Sequence, residues 1–155
     1  MIYSLGLRLF KHEEDARDFV QDVYLHSHGK KSKYSGLSKF STWLYSVALN
    51  LGLNRIKKNK KLLTDTMPED FPENIDSVED SVLSLLIRDE VNDRVRVELN
   101  ELPDAYRISL VLYYFEGLSY SEIARKLAQK EGTVKSNLHR AKAIMRDKLA
   151  GYYGR

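Results

Sequence analysis

Residues 116–140 read E-G-L-S-Y-S-E-I-A-R-K-L-A-Q-K-E-G-T-V-K-S-N-L-H-R, a pattern typical of two short helices joined by a tight break. In the first helical segment, Ile123 and Leu127 lie one turn apart. The second segment carries one apolar stripe, at i, i+4, i+7 and i+11, formed by Val134, Leu138, Ala141 and Met145. This order of elements predicts a helix-turn-helix whose second helix packs against the rest of the domain through its apolar stripe.

The polar side of the second segment is rich in hydrogen-bond donors. At about 100° per residue, four side chains are expected to point away from the stripe: Lys135, Ser136, His139 and Arg140. Thr133, next to Gly132, is expected to cap the helix or contact a phosphate, because backbone N–H groups are free at a helix start. The pattern favours a recognition helix in a DNA groove. The alternative is a helical hairpin with a solvated basic face.

Length and composition limit the class of protein. The chain has 155 residues, enough for one ordinary domain or two small ones, with 43% hydrophobic and 30% charged residues. It has no cysteine, which excludes disulfides and thiol chemistry. No apolar run reaches the roughly 18 residues of a membrane span, and the N-terminus does not resemble a secretory signal. A cytoplasmic location is therefore the default expectation.

The charge is divided into three blocks. Residues 1–61 hold 12 Lys/Arg against 5 Asp/Glu, residues 62–87 hold none against 7, and residues 88–155 hold 13 against 10. Basic blocks attract phosphate backbones, and an acidic block is repelled by them. The acidic segment also contains Pro68 and Pro72 and lacks a sustained period, so it is typical of a linker.

The apolar spacing throughout both basic blocks is helical. The first block has two such stripes, namely Ala16, Phe19, Val20 and Val23, then Phe40, Trp43, Leu44, Val47 and Leu51. The second block has another two before the helix-turn-helix, namely Ile87, Val91, Val95, Leu99 and Leu102, then Ile108, Val111, Leu112 and Phe115. Pro103 and Gly117 mark boundaries. Because Trp43 lies on a stripe, it is expected in the core rather than as a stacking platform.

These patterns predict an all-α protein of two small helical domains joined by an acidic linker. The expected boundaries are 1–61 for the first domain, 62–80 for the linker and 81–155 for the second domain with its helix-turn-helix.

Three segments carry a family resemblance. Residues 14–25, E-D-A-R-D-F-V-Q-D-V-Y-L, are similar to region 2.2 of bacterial sigma factors of the extracytoplasmic-function type. Residues 40–55, F-S-T-W-L-Y-S-V-A-L-N-L-G-L-N-R, resemble regions 2.3 and 2.4, and residues 102–146 resemble region 4. The chain departs from the family where Ala128 replaces the glycine usual in the turn, and in a first helix of region 2 that is expected to be short or missing.

The resemblance implies partners and site residues. Region 2.2 docks on the clamp helices of the polymerase beta-prime subunit, which implies a docking face of Asp15, Asp18, Gln21 and Asp22. Regions 2.3 and 2.4 open and read the −10 element, which implies Tyr34 in a loop that receives a flipped base, and Asn50. The cations that end this helix, Arg55, Lys57 and Lys58, are assigned to the same DNA because of their charge. Region 4 reads the −35 element, which implies Lys135, Ser136, His139 and Arg140, with Thr133 added for its place near the helix start. Arg140 is the best candidate for a bidentate contact to guanine.

Physical alternatives accompany these assignments. The polar face at residues 15–22 is equally consistent with solvent, Asn50 with the edge of a core, and the lysines ending the second helix with a solvated helix end. No cofactor and no metal are expected, because the chain has no phosphate-binding glycine loop and no metal-ligand spacing. An enzyme is not expected for the same reason.

Two other functions remain open. One is a helix-turn-helix regulator that binds duplex DNA without polymerase. The other is a degenerate sigma-like protein that binds polymerase or an anti-sigma factor without opening promoters. An anti-sigma factor is also a possible partner of a functional sigma factor.

Overall fold

The computed structural model describes residues 1–59, residue 63 and residues 93–153, and all regular structure in these residues is helical. The all-α prediction is therefore confirmed. The chain divides into two compact units, Met1–Lys58 and Asn59–Arg155. Apart from residue 63, the predicted linker at residues 62–80 lies outside the described residues, so its boundaries remain a prediction.

Unit 1 contains three helices in mutual contact. They are α1 (Ile2–Phe10), α2 (Glu13–Gly29) and α3 (Phe40–Lys58), with a single 3₁₀ turn at Lys31–Lys33. The first turn of α2 carries three acids, which suit the positive end of the helix dipole.

The core of unit 1 is built around Phe19. Its ring is fully buried and lies 5.1 Å from the ring of Phe10. A Cβ atom on Gly6 of α1 would lie 3.0 Å from the Phe19 ring, and one on Gly52 of α3 would lie 2.8 Å from Leu9 Cδ1. The two glycines thus let α1 and α3 approach close to the ring, and the short α1 still contributes a full helix face.

The stripe predicted for α3 is wrong. The buried residues of α3 are Ala48, Gly52, Leu53 and Ile56, whereas Phe40 is 51% exposed and Trp43 is only half-buried. The reason is that α1 and α2 approach α3 on the face of Ala48 and Gly52, where small residues leave room for Leu9 and Phe19. Small residues contribute little to an apolar pattern in the sequence, so the large side chains between residues 40 and 51 pointed to the wrong face, and the large buried residues Leu53 and Ile56 lie beyond that pattern.

Unit 2 contains four described helices. They are α4 (Asp93–Glu101), α5 (Asp104–Leu110), α6 (Tyr120–Leu127) and α7 (Glu131–Tyr153), with a π-helical turn at Val111–Phe115 that continues α5. α7 packs against α4, α5 and α6. The boundaries predicted at Pro103 and Gly117 are confirmed, since α4 ends before the proline and the glycine follows the π turn with φ 68°.

The stripes predicted for unit 2 are confirmed at most described positions: Ile108, Val111 and Leu112 are buried, whereas Phe115 is only half-buried. Val134, Leu138, Ala141 and Met145 are all buried along α7, as are Val95, Leu99 and Leu102 in and after α4. Ile87 and Val91 lie outside the described residues.

The turn between α6 and α7 has left-handed geometry at Ala128, with φ 53° and ψ 43°. An L-residue with a Cβ atom is strained there, and glycine is not. Because Ala128 is exposed, the change Ala128→Gly removes no packing. We expect it to raise the free energy of unfolding of unit 2 by about 1 kcal/mol.

Urea denaturation followed by circular dichroism measures this change. Ala150→Gly is the matched control, because Ala150 is also exposed but lies within α7. There glycine should lower stability by about 1 kcal/mol. A midpoint for Ala128→Gly at or below that of the unaltered chain would contradict the prediction.

Candidate nucleic-acid interface

The exposed side of α7 begins directly after the turn. Lys135 and Ser136 are exposed, and Thr133 and His139 are half-buried. The helix before the turn is held by a capping box, in which the Ser119 hydroxyl accepts from the Glu122 N–H at 3.2 Å and the Ser119 N–H donates to the Glu122 carboxylate at 2.8 Å. The hydrogen bond from the Ser119 N–H to the carboxylate, with a further contribution from the Ser119 side chain, holds the pKa of Glu122 below its ordinary value.

Arg140 does not lie on this exposed side, so that part of the prediction is wrong. Its side chain is buried at 9% exposure, with Nη1 3.5 Å from the hydroxyl of Tyr106 on α5. Asn137, on the same flank of the helix, is 2% exposed. The helix is therefore covered on this flank as well as along its apolar stripe, and only the flank of Lys135 and His139 is open.

Thr133 is not the cap of α7. The helix begins at Glu131, three residues earlier than a Thr133 cap would place it, and the Thr133 N–H already donates to the Lys130 carbonyl at 3.0 Å. Thr133 is therefore placed at the third position of the helix, beside the exposed Lys135 and Ser136 but within the first turn.

A cluster of three aromatic rings occupies the start of α3 and the loop before it. The Tyr34 ring lies 5.5 Å from that of Phe40 and 5.4 Å from that of Trp43, and the last two are 5.6 Å apart. The Tyr34 hydroxyl donates to the Ser38 carbonyl at 2.5 Å, which closes the loop. Leu37, at the tip of the loop, is 94% exposed.

Trp43 therefore belongs to this aromatic cluster, and its predicted place in the core is wrong. The ring is half-buried against Tyr34 and Phe40, outside the set of buried α3 residues. Half-exposed rings in contact present flat apolar surface to solvent, which is the surface on which unstacked bases pack.

Asn50, Lys57 and Lys58 are exposed on α3. At about 100° per residue, Asn50 lies about 200° around the helix from the buried Ala48 and about 60° from the buried Leu53, so its exposed side chain lies on the flank of the buried face. Trp43, Asn50 and Lys57 recur every seven residues and share one side of the helix over about 21 Å.

The outer side of α2 carries the residues assigned to polymerase docking. Asp18, Gln21, Asp22 and Leu25 are all exposed and follow the i, i+3, i+4, i+7 spacing of one helix face, while Asp15 is half-buried. Leu25 is 70% exposed, as is Tyr24. The face combines acidic groups with exposed apolar area.

Arg55 lies beside this face. Its Nη1 is 3.6 Å from Asp22 Oδ2, and its guanidinium is 5.1 Å from the centre of the Phe10 ring. The structure thus brings together one residue assigned to DNA and one assigned to polymerase. Arg55 is engaged with α1 and α2, whereas Lys57 and Lys58 are exposed.

Several residues of these surfaces were not found from the sequence. Phe40 and Trp43 were assigned to the core, and Tyr24 and Leu25 were left unassigned. Helical spacing does signal Leu25, because it continues the Asp18 face, and the S-x-x-E pattern at 119–122 signals the capping box. No such signal exists for the cover over Arg140, which comes from a different helix.

Two family models match the chain, Sigma-70 region 2 over residues 1–62 and Sigma-70, region 4 over residues 92–145. The ECF RNA polymerase sigma factor SigW of Bacillus subtilis is 32% identical over 158 residues, covering 96% of this chain and 82% of that protein. The chain belongs to the sigma-70 family, in its extracytoplasmic-function group. A second sigma-70 family relative, the RNA polymerase sigma-H factor of Pseudomonas aeruginosa, is 31% identical, covering 91% of this chain and 76% of that protein.

Other sigma-family relatives differ in length. The chain covers 57% of the ECF RNA polymerase sigma factor SigE of Mycolicibacterium smegmatis, at 29% identity. The sigma factor RpoE of Bartonella quintana, solved in complex with the anti-sigma factor NepR, has a TM-score of 0.55 and 20% identity. The structural match covers 96% of this chain and 89% of the RpoE chain, and it shows that the two proteins share a fold.

As a sigma factor, the chain directs promoter-specific transcription initiation, with core RNA polymerase and promoter DNA as its partners. In the part of the chain that the structure describes, no helix is both long enough and apolar enough to cross a membrane.

Proposed function

We propose that the two units of this sigma factor divide the work of initiation among three surfaces. The α2 face docks on core polymerase, the aromatic cluster and the exposed side of α3 bind the −10 element, and the exposed side of α7 reads the −35 element. The observation that carries the proposal is that each of these surfaces lies outside the set of buried residues of its helix, so that none is needed for the core.

At the −10 element, the proposed role of the cluster of Tyr34, Phe40 and Trp43 is to hold a base pulled from the stack. Removing a base from the stack costs a few kcal/mol, and stacking on aromatic rings offsets about 1–3 kcal/mol per base. Asn50 offers a donor and an acceptor to a base edge on the same side of α3. Lys57 lies about two helical turns further along α3 and is suited to contact a phosphate of the DNA backbone.

At the −35 element, Lys135, Ser136 and His139 form the proposed reading surface, with Thr133 within the first turn of the helix. The buried Arg140 side chain lies behind this surface and contacts the Tyr106 hydroxyl of α5. We therefore assign the direct contacts to the open flank and not to the guanidinium of Arg140.

The remaining proposals follow from the same assignment. The acidic segment at residues 62–80 serves as a tether, so that binding both promoter elements at once supplies avidity within the polymerase complex. The protein acts in the cytoplasm, performs no covalent chemistry and needs no cofactor.

The exposed α2 face favours this function over a helix-turn-helix regulator that works without polymerase, since such a regulator has no use for an exposed face of that kind.

Transcription with core polymerase tests the proposal. Templates are selected by the wild-type chain from a library of random promoters and then used in run-off assays. We expect Trp43→Ala to lower the yield of open complexes about 10- to 100-fold, because about 1–3 kcal/mol of stacking is lost. A template already unpaired at −10 should recover part of this loss.

Tyr3→Ala is the control, because Tyr3 is a partly exposed aromatic residue on α1, away from the cluster. Wild-type activity of Trp43→Ala on duplex templates would refute the role of the cluster. No transcript from any template with wild-type protein, despite assembly with core enzyme, would instead favour a degenerate sigma-like protein.

A further inference from the structure

Unit 2 contains a buried carboxylate that none of the promoter surfaces uses. Glu98 of α4 is 5% exposed. Its Oε1 lies 2.6 Å from Arg94 Nη2 on the same helix, and its Oε2 lies 3.0 Å from Lys148 Nζ on α7. Each oxygen therefore has its own cation, and one of the two cations comes from the helix that reads DNA.

This arrangement is sensitive to the loss of either partner. A buried carboxylate is costly unless it is paired and hydrogen-bonded, and removal of Lys148 leaves Glu98 with Arg94 as its partner and with one oxygen that has lost its cation. The hydrogen bond from Lys148 lowers the pKa of Glu98, although burial alone raises it. Because the folded pKa is lowered, the pair stabilises the fold at neutral pH, and its contribution is lost as pH falls through that lowered pKa.

Lys148 lies near the end of α7, so the pair is linked through the helix to the reading surface near its start. α7 is one continuous helix, and Lys148 lies 12 residues, or about 18 Å, from Ser136 on the reading surface. The apolar stripe that holds α7 is non-directional. The ion pair adds to this packing a directional contact between named atoms, which favours one rotation of the helix about its axis.

We propose that Glu98 and Lys148 are positioning residues for the reading end of α7, which set the rotation of the helix and hence the direction in which Lys135 and Ser136 point. The DNA part of this inference rests on the proposed function of α7. The pair touches no base and no phosphate in this role, and acts only through the helix.

Two other roles for the pair make different predictions. If Lys148 binds a phosphate directly, its loss lowers the salt slope of DNA binding by about 1, and the slope with Glu98→Gln stays unchanged. If the pair is merely structural, each variant unfolds more easily, but the folded fraction discriminates DNA sequences like the wild type.

The experiment uses the full chain assembled with core polymerase, and a −35 duplex that the wild-type complex selects from a random library. The variants are Glu98→Gln, Lys148→Met and the two combined, at a temperature where circular dichroism shows each fully folded. We expect each single variant to lose about tenfold in preference for the selected duplex over a scrambled one. The double variant should lose no more than either single variant, and all three should keep the wild-type salt slope.

Three further variants calibrate the result. Glu101→Gln removes an exposed acid from the same helix and should change nothing. Lys148→Arg keeps the cation and should restore most of the preference. Lys135→Ala, on the reading surface, should lower the salt slope by about 1.

A structural readout separates this inference from the proposed function. Residual dipolar couplings of the Cα–Hα bonds of Lys135 and Ser136 in the free chain report the rotation of α7 within unit 2 without any DNA, because these bonds point away from the helix axis. Unchanged couplings in Glu98→Gln overturn the positioning role, as do additive losses in the double variant. If wild-type complexes select no −35 sequence, the proposed function of α7 fails, and the couplings alone decide the role of Glu98.

Discussion

Replacing Asp18 and Asp22 together by lysine is expected to abolish assembly with core RNA polymerase. Both residues are exposed on α2 and share one face with Gln21 and Leu25. Reversing two charges on a docking surface converts attraction into repulsion, which costs several kcal/mol across an interface. The buried side of α2 is untouched, so circular dichroism should show an intact helical fold.

The pair between Asp22 and Arg55 requires a separate control. The two groups are 3.6 Å apart and more than a third exposed, so their interaction contributes at most about 1 kcal/mol. Asp22→Asn breaks this pair without introducing a lysine. We expect it to weaken assembly much less than the double reversal does.

Pull-down with core enzyme at moderate salt measures the effect. Glu101→Lys combined with Asp147→Lys is the matched variant, because both acids are exposed in unit 2 and the net charge changes equally. It should assemble normally. Equal assembly of the Asp18 and Asp22 double variant and the unaltered chain would mean that polymerase docks elsewhere.

The second large effect is expected from Phe19→Ala, which should unfold unit 1. The ring is fully buried and lies against α1 and α3 as well as within α2. Its loss costs about 3–5 kcal/mol, and a unit the size of Met1–Lys58 has little stability beyond that. Unit 2 has a core of its own and should keep its helices.

Amide NMR spectra of the full chain resolve this outcome residue by residue. We expect cross-peaks of α1, α2 and α3 to collapse into the random-coil region while those of α6 and α7 keep their positions. Tyr24→Ala is the control, since Tyr24 is an aromatic residue of the same helix that is 70% exposed. Simultaneous loss of the α7 signals would show that the two units fold as one cooperative domain.

Most helices were predictable because their signals are local. The apolar stripe of Val134, Leu138, Ala141 and Met145 requires only helical spacing, and Pro103 and Gly117 act on their own backbone. The strained turn at Ala128 was also visible, since residues that tolerate left-handed geometry are few. The sigma family was indicated separately, by the resemblance of residues 14–25, 40–55 and 102–146 to family regions in the same order.

Which residues form each surface was less predictable, because it depends on which other helices pack against a given helix. The sequence by itself determined the helices, their order, the acidic face of α2 and the open flank of α7 at Lys135 and Ser136. Only the tertiary structure decided that Trp43 joins an exposed aromatic cluster, that Arg140 is buried under α5, and that Glu98 reaches Lys148. The reason is physical: periodicity within a helix shows which residues share a side, but burial depends on contacts between helices that are distant in sequence.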